Sequence, residues 1–374
     1  MASSDKPQRI ARLTPLADAL AALARVARPV ASRGVELDLA LGRVIAADAA
    51  IPQNRHARAV ALRDGWAVKA ELVADAGVYA PVPVAAAWVE TGEVLPDDAD
   101  AVLPPDAVTE AGGAQEATVS AAPGEGVLRA VAGGAAEPIR RAGFALRNVD
   151  LAALRAAGVR RVGVREPLVR IVSTNRQLGP TADTAAPLIA ALVESAGGRV
   201  HITRASVTAG ALENGLRDGN ADAVITIGGT GEGRGDRAVA VAAAHGRVSV
   251  HGIGIRPGET AALAEVGDRP VLMLPGRLDA AFAAWLLLGR PLLAHLTGAQ
   301  AQDAPIAVPL RRKITSTIGL AEIVLVRLGE SGAEPLPVGI APAEALARAD
   351  AWVLVPAESE GYPAGASVEA RPLP

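Results

Sequence analysis

The sequence predicts a multidomain protein of mixed class, α/β plus β, with a doubly wound α/β domain, β-rich parts and a helical N-terminal segment. Three observations predict it. From Leu168 onward, apolar β-branched runs alternate with helical patterns. One of these runs, 223–227 (Ala-Val-Ile-Thr-Ile), is typical of a strand buried on both faces of a parallel sheet. Residues 51–140, and the chain after Gly298, instead carry short apolar runs broken by Gly and Pro, which indicate strands.

The domain boundaries follow from these changes of pattern. A helical N-terminal domain is predicted from residues 1–50 together with 141–167, and a β-rich insertion domain at 51–140 lies between these two stretches. An α/β domain is predicted at 168–298, and a C-terminal β domain at 299–374. The length of 374 residues fits such a division, because domains of about 150 residues are usual.

Helical spacing dominates the N-terminal part. Thr14 is predicted to cap a first helix that has Pro15 in its first turn and an apolar stripe reaching Val26. Further helices are predicted over 37–47 and 149–157.

The α/β domain is predicted to alternate its elements along the chain. Its strands are expected at 168–173, 199–203, 223–227 and 271–274. Its helices are expected at 184–196, 209–217, 237–244 and 278–295, the last interrupted near Gly289. Later strands are expected at 306–313, 322–328, 352–356 and 367–371. Ligands of a doubly wound sheet bind outside the carboxyl ends of its strands.

Composition excludes several classes of function. Because 37 basic residues face 40 acidic ones, the net charge of −3 offers no electrostatic footprint for nucleic acid or an anionic membrane. The absence of cysteine excludes disulfides, thiolate zinc sites, iron–sulfur clusters and cysteine nucleophiles. Any metal must be held by oxygen or by the five histidines. These show no metal-ligand spacing, and we interpret them as surface or incidental residues.

No targeting or spanning segment is predicted. Residues 1–12 contain no apolar run of the kind a secretory signal needs, and the longest apolar stretch, 280–288, is too short to span a bilayer. We therefore expect a soluble, cytoplasmic protein with no membrane contact.

The strongest local signal is the glycine-rich run 227–236, Ile-Gly-Gly-Thr-Gly-Glu-Gly-Arg-Gly-Asp, which directly follows a predicted strand. The N–H groups of such a loop can converge on a phosphate, and the next helix adds its positive end. The run is not a dinucleotide fingerprint, because Arg234 stands where the third glycine is needed, and it is not a P-loop. Two simpler interpretations stay open: a flexible connection, and Asp236 as the cap of the following helix.

Weaker motifs lie on both sides of this loop. Asp64 in the turn 62–67 is a candidate ligand for a hard cation, although a plain β-turn explains the Asp-Gly pair as well. The acidic run 90–102 could bind metal or be a solvated loop. The turns Arg256-Pro257-Gly258 and Leu274-Pro275-Gly276 each follow an apolar strand, so both can face the same sheet edge as the glycine loop.

In order and spacing, the motifs resemble the molybdopterin molybdenumtransferase family, the MoeA and gephyrin E-domain proteins, over nearly the whole chain. The matching segments are 40–48 (ALGRVIAAD), 61–67 (ALRDGWA), 91–102, Ser173-Thr174, 228–236, Pro257-Gly258, 274–276 and 347–350. The chain resembles a divergent member, because it departs from the family pattern within these motifs. The departures are Ala61, Ala145, Asn175, Arg176, Gln177, the missing aspartate around 206–208, Glu259, Thr260, Arg277 and Leu278.

The resemblance implies a fold, a reaction and partners. The implied subunit has four parts, including a molybdopterin-binding α/β domain and a C-terminal β-barrel, and it forms an elongated homodimer with its site between subunits. The implied reaction inserts molybdenum from molybdate into adenylylated molybdopterin and releases AMP, with Mg²⁺ or another divalent cation. A molybdoenzyme acceptor and a molybdopterin adenylyltransferase are the implied protein partners.

The resemblance also implies roles for particular residues. Asp64 and Asp236 are expected to be metal ligands, and together with Thr91 they are the candidate catalytic residues. The candidate cofactor-binding residues lie around the glycine loop: Gly228, Gly229, Thr230, Gly231, Gly233, Asp183, Ser173, Thr174, Arg256, Pro257, Gly258, Pro275 and Gly276.

Two alternatives to this enzyme stay open. The acids that are missing at 145 and 175–177 favour a non-catalytic paralogue that binds molybdopterin or the finished cofactor and presents it to a partner enzyme. The charges of Glu259 and Arg277 favour an enzyme that acts on a different phosphorylated ligand with the same loop.

Overall fold

The computed structural model of the chain describes residues 8–50, 58–129, 137–174, 184–204, 209–217, 219–300, 304–337 and 343–374. The chain divides into two compact units. The larger contains Met1–Ala49, Arg140–Arg155 and Val159–Pro374, and the smaller contains Ala50–Ile139 with Ala156–Gly158. The predicted boundaries of four domains are finer than this division and stay a prediction.

A six-stranded sheet lies at the centre of the larger unit. In spatial order its strands are Arg199–Arg204, Leu168–Ser173, Ala223–Ile227, Arg269–Leu274, Ala262–Val266 and Arg247–His251. The first four strands are parallel to one another, as predicted. The fifth strand, Ala262–Val266, is antiparallel to the strands on both sides of it, which the sequence did not indicate. Every residue of Ala223–Ile227 is buried, so this strand is covered on both faces as predicted.

Helices cover both faces of the sheet. On one face they pack with Ile171, Ile225 and Leu272 into the largest core, and they are Leu16–Val26, Ala185–Ser195, Leu278–Ala284 and Arg290–Thr297. On the other face they pack with Val172, Val224 and Met273, and they are Ala209–Arg217 and Ala238–His245. This arrangement confirms the doubly wound α/β class for this part of the chain.

The apolar helical stretch predicted to be interrupted near Gly289 is continuous. A π-helical turn, Trp285–Gly289, joins the helices on either side of it. By length and composition the whole stretch Leu278–Thr297 could cross a membrane, but 78% of its most apolar window is buried inside the protein. It is therefore the central helix of the core.

The N-terminal part corrects two predictions. Thr14 does not cap the first helix, because Pro15 occupies the cap position, while Thr14 pairs with Ile253 in a parallel bridge. The helix predicted over 37–47 is wrong. Its residues form one turn of 3₁₀-helix, Leu37–Leu39, and a strand, Val44–Ile45.

Pairing across the chain explains the second error. The strand Arg161–Arg165 pairs with Arg33–Glu36 on one side and with Val44–Ile45 on the other, in a three-stranded sheet. The backbone hydrogen bonds of this sheet determine the local structure, although the apolar residues have helical spacing. The helix Asn148–Ala156 precedes Arg161–Arg165 and confirms the prediction over 149–157 within one residue.

The C-terminal part is a second sheet of the larger unit. Its strands in spatial order are Ile255–Arg256, Ala321–Gly329, Ala351–Val355, Ser367–Pro372 and Ile306–Pro309, with Gly332–Pro335 paired to Ala321–Gly329. Beside it lie the pair Ile314–Thr315 and Gly361–Tyr362 and the short helix Ala343–Ala347. The four strands predicted after residue 298 are confirmed, whereas closure into a barrel stays a prediction.

The smaller unit consists of short strands, as predicted for the insertion. They form three sheets: Val60–Ala61 with Val127–Leu128; Ala87–Val89, Gly65–Val68 and Ala101–Leu103; and Val82–Pro83, Ala114–Ala117 and Val108–Ala111. In the described part of this unit, a turn of 3₁₀-helix, Ala70–Val73, follows the strand Gly65–Val68.

Candidate functional site

The carboxyl edge of the central sheet gathers most of the predicted site residues of the larger unit. Ser173, Ile227 and Leu274 are neighbours in register at the ends of three parallel strands. Ala262 begins the adjacent antiparallel strand opposite Met273, so the residues just before it reach the same edge. The glycine loop and two turns therefore converge where a doubly wound sheet binds ligands.

A cleft of about 280 Å³ opens at this edge. It is lined by Gly228, Gly229, Thr230, Gly231, Asp236, Gly258, Glu259, Thr260, Pro275, Gly276, Arg277 and Ala280. The glycine loop, the turn after Arg256 and the turn after Leu274 thus form one surface, as the sequence predicted.

The backbone of the glycine loop offers unused donors to this cleft. The N–H of Gly228 donates to the carbonyl of Leu274 (2.9 Å). The next three N–H groups, of Gly229, Thr230 and Gly231, donate to no acceptor in the described part of the chain. Successive unpaired N–H groups in a loop of this kind bind anions. Gly229 has φ of 73°, which favours glycine at this position.

Asp236 belongs to the loop and not to the helix that follows it. Its Oδ2 accepts the N–H of Gly233 (2.9 Å). An added Cβ at Gly231 would lie 2.8 Å from the same oxygen, so only glycine leaves room for the carboxylate there. Arg237 occupies the cap position of the helix Ala238–His245. The interpretation of Asp236 as the helix cap is therefore wrong, and its carboxylate lines the cleft.

Three side chains outside the loop, those of Thr260, His251 and Gln8, contact it, and the sequence predicted none of these contacts. The hydroxyl groups of Thr230 and Thr260 are 3.0 Å apart, and Thr230 is 1% exposed. His251 places Nε2 3.0 Å from the carbonyl of Thr230, so this nitrogen must carry the proton. The Nε2 of Gln8 donates to the carbonyls of Gly229 (2.9 Å) and Gly231 (2.7 Å).

The interpretation of all histidines as incidental is therefore wrong for His251. No spacing in the sequence indicates the contact of His251 with the loop, because it depends on tertiary packing. Gln8 precedes every predicted element, and no local pattern indicates its contact with a loop more than 200 residues away.

Charged side chains at the cleft are paired with neighbours. Arg277 donates from Nε and one terminal nitrogen to both carboxylate oxygens of Asp279 (2.8 and 3.0 Å), and this hydrogen bonding raises the pKa of Arg277. Glu259 accepts the N–H of Gly258 (3.0 Å) and lies 3.4 Å from Nε of Arg256. Among the described lining residues, Arg277 is the single cation, and its side chain is 52% exposed.

Other predicted residues lie near the cleft without lining it. Thr174 donates its N–H and hydroxyl to the carbonyl of Ile227 (2.9 and 3.1 Å), and Ser173 is buried at the end of its strand. Arg256 also donates to the hydroxyl of Thr317 (3.1 Å), and Pro257 lines a separate small cavity beside Phe282. Gly233 contributes its N–H to Asp236, as described above. Asp183 lies outside the described residues.

Asp64 and Thr91 lie together in the smaller unit. Oδ1 of Asp64 accepts both the backbone N–H and the hydroxyl of Thr91, each at 2.7 Å. These two bonds, the backbone bond first, lower the pKa of Asp64, so the exposed carboxylate is ionised well below neutral pH. Gly65 has φ of 153°, and a Cβ there would lie 1.9 Å from the carbonyl oxygen of Leu103. The close approach explains why glycine follows Asp64.

Acids of the run 90–102 serve contacts inside the smaller unit. Asp100 accepts the N–H of Ala70 (2.7 Å) and pairs with Lys69 (2.8 Å), and these bonds lower its pKa. Asp97 pairs with Arg58. Within the described ranges no group of three or more His, Asp or Glu side chains could hold a metal ion.

Fold and cleft together define a class: a multidomain protein whose doubly wound domain presents a glycine-rich loop with unpaired N–H groups at the carboxyl edge of its sheet. Three family models match the chain in order. They are "MoeA N-terminal region (domain I and II)" at residues 14–158, "Probable molybdopterin binding domain" at 169–295 and "MoeA C-terminal region (domain IV)" at 307–373. The chain belongs to the MoeA family, which places it in molybdenum cofactor biosynthesis.

Individual relatives agree with this assignment over most of their length. A curated protein of Methanocaldococcus jannaschii, named "Putative molybdopterin biosynthesis protein", is 24% identical over 90% of each chain. The crystal structure of a molybdopterin biosynthesis MoeA protein from Pyrococcus horikoshii has a TM-score of 0.76 and 25% identity, covering 96% of this chain and 99% of that one. A molybdenum cofactor biosynthesis protein from Pyrococcus furiosus has a TM-score of 0.61 and 22% identity, with coverages of 97% and 100%, and shows a shared fold.

Proposed function

We propose that this protein is a molybdopterin molybdotransferase, which takes adenylylated molybdopterin and molybdate, inserts the molybdenum and releases AMP. The observation that supports it most directly is the run of three unpaired N–H groups, Gly229 to Gly231, in a cleft at the carboxyl edge of the sheet. Such donors suit the phosphate side of the pterin substrate.

The cleft supplies both signs of charge that this substrate needs. We assign the phosphate to the loop N–H groups and to the exposed face of the Arg277 guanidinium, whose orientation is held by Asp279. We assign Asp236 to a divalent cation. Mg²⁺ is typically bound by one or two carboxylates together with substrate phosphates, so a single carboxylate beside a phosphate loop fits it. When bound, the cation would neutralise charge that develops on the leaving phosphate.

We propose that Asp64 acts as a second acidic residue of the same reaction, with Thr91 keeping it ionised. The support is chemical: two hydrogen bonds from Thr91 stabilise the carboxylate form. We further propose, from the family resemblance, an elongated homodimer in the cytoplasm, a C-terminal barrel and a substrate site shared between subunits. A molybdoenzyme or a molybdopterin adenylyltransferase would be the protein partner.

The test is an insertion assay with the purified protein. Adenylylated molybdopterin, Mg²⁺ and molybdate are added, and both AMP and molybdenum-loaded pterin are quantified against an active MoeA protein. Asp236→Asn keeps an oxygen for the Gly233 N–H and removes the charge. We expect this variant to bind molybdopterin and to lose at least about 100-fold in turnover, because it lacks the charge that holds the cation. Absence of both products with wild-type protein would refute the proposal.

A second function is a carrier that binds the pterin and presents it without turnover. It is favoured by the departures from the family pattern at Ala145 and at residues 175–177, where the resemblance leads us to expect acids. The same assay separates the two functions. A carrier would bind molybdopterin with wild-type and Asp236→Asn protein alike and release no AMP with either, whereas an enzyme shows Mg²⁺-dependent release that the substitution removes.

A further inference from the structure

We propose that Gln8 is a positioning residue of the anion site, which fixes the direction of the loop N–H groups by holding the loop carbonyls. The inference rests on the proposed pterin-binding role of the glycine loop and adds to it the N-terminal segment, residues 8–14. The side-chain amide of Gln8 bridges two carbonyls of the loop, those of Gly229 at 2.9 Å and Gly231 at 2.7 Å.

The geometry of the peptide bond links these carbonyls to the anion donors. In a planar trans peptide the C=O of one residue and the N–H of the next point in opposite directions. Holding the carbonyl of Gly229 therefore directs the N–H of Thr230, one of the three unpaired donors, away from Gln8. His251 holds the carbonyl of Thr230 (3.0 Å), which directs the N–H of Gly231, a second donor. Holding the carbonyl of Gly231 fixes the peptide that follows these donors, whose N–H belongs to Glu232.

Further contacts keep the N-terminal segment in place. The N–H of Ile10 donates to Oε1 of Glu232 (2.9 Å), which ties the segment to the loop a second time. The N–H of Thr14 donates to the carbonyl of Gly252 (2.9 Å). A Cβ at Gly252 would lie 2.4 Å from the side chain of Ile10, so the glycine makes room for the segment. Gln8 is therefore held by the backbone contacts of its own segment as well as by its amide.

A purely space-filling role does not explain this glutamine. Its Oε1 is buried and has no hydrogen-bond partner among the described residues, which costs free energy that an apolar side chain of similar size would not cost. The reverse orientation of the amide would place this oxygen against two carbonyl oxygens. An amide at this position supplies two N–H donors, and both bond to carbonyls of the loop.

The test compares variants of Gln8 in the full-length protein. Gln8→Glu has the same size but cannot donate at neutral pH, Gln8→Lys restores donors, and Arg9→Ala removes an exposed neighbouring side chain as the matched control. Titration with metal-free molybdopterin gives Kd, and thermal unfolding gives Tm. We expect Gln8→Glu to raise Kd by about 10-fold, since two hydrogen bonds that orient the site are lost. Gln8→Lys and Arg9→Ala should stay near the wild-type Kd and Tm.

A Kd for Gln8→Glu equal to that of wild type would overturn the inference and leave the proposed function standing. A fall in Tm that Gln8→Glu and Gln8→Lys share would also overturn it, because it would indicate a structural role only. If wild-type protein binds no molybdopterin, the proposed function fails on its own. The backbone amide resonances of Thr230 and Glu232 in the free protein then decide the inference: Gln8→Glu should shift or broaden both, and unchanged resonances would overturn it.

Discussion

At the scale of single residues, the clearest electrostatic relation is the one between Asp64 and Thr91. Thr91→Val keeps the backbone N–H, which is the larger cause of the lowered pKa, and removes the hydroxyl, which is the second. We expect the pKa of Asp64 to rise part of the way toward its ordinary value. Carboxyl-carbon NMR titration of the aspartates measures it, and Thr118→Val, which removes a hydroxyl bonded to a carbonyl of the same unit, is the matched control.

The direction of the pH effect follows from that shift. The bonds to Asp64 stabilise the ionised form, so their contribution is present above the pKa of the unfolded chain and is lost as pH falls through the lower folded pKa. In Thr91→Val the folded pKa of Asp64 is higher, so this carboxylate is protonated at a higher pH. On the acid side of the pH–activity curve, the pH at which activity falls should therefore be higher in the variant. Near pH 7 Asp64 stays ionised, so turnover there should not change. An acid limb that stays in place would argue against a role for Asp64 in the reaction.

Arg277 allows a second prediction at this scale. Removing the arginine alone would leave the buried Asp279 unpaired, so Arg277→Gln is combined with Asp279→Asn to remove both charges of the pair. We expect Kd for molybdopterin to rise about 10-fold or more, because a charge-assisted bond to the anion is lost. Arg25→Ala, at an exposed helix position in the same unit, is the charge control. An unchanged Kd would exclude Arg277 from the anion site.

At the scale of elements, the π-helical turn depends on a single glycine. A Cβ at Gly289 would lie 2.1 Å from the ring of Trp285, which is 1% exposed. Gly289→Ala should therefore destabilise the fold by about 1–3 kcal/mol through overpacking, measured as a lower denaturant midpoint. Gly210→Ala is the control, because a Cβ there meets nothing within 4 Å. It should stabilise by about 0.4–1 kcal/mol, since it only reduces the freedom of the unfolded chain.

The helices and strands also show which parts of the secondary structure can be predicted from sequence patterns. Ala209–Arg217 and Ala223–Ile227 were predicted to the residue, because helical spacing and a continuous apolar run are local properties. The region 37–47 has helical spacing as well, yet its residues pair with Arg161–Arg165, more than 100 positions away. The antiparallel strands Ala262–Val266 and Arg247–His251 were missed for the same reason, since their partners are not visible in a local window.

The site was predictable to a similar extent. Glycines and acids in turns after strands could be assigned to the cleft, because the edge of a parallel sheet collects the turns that follow its strands. The supporting contacts of His251, Thr260 and Gln8 depend on tertiary packing, so no spacing in the sequence indicates them.

At the scale of the whole molecule, the two ends of the inserted smaller unit are joined by a backbone bridge in the larger unit. Ala49 and Arg140 exchange backbone hydrogen bonds of 2.8 and 3.4 Å in an antiparallel bridge, so the chain leaves and re-enters the larger unit at neighbouring positions. Replacing residues 51–138 with a short Gly–Ser linker should therefore leave the larger unit folded. We expect a cooperative thermal transition and retained molybdopterin binding, with turnover lost along with Asp64 and Thr91. A shortened protein that shows no cooperative transition would contradict this prediction.

The position of the N-terminal segment has a consequence for how the protein is made. Gln8 bonds to a loop 221 residues further along, and the helix Leu16–Val26 packs on the strands Arg247–His251, Ala262–Val266 and Arg269–Leu274. Contacts of such long sequence separation form slowly, because the intervening chain must first be closed into a loop. During synthesis residues 8–26 emerge well before residues 229–274, which they contact. We expect this N-terminal segment to be among the last to dock, so that the proposed anion site is completed at the end of folding.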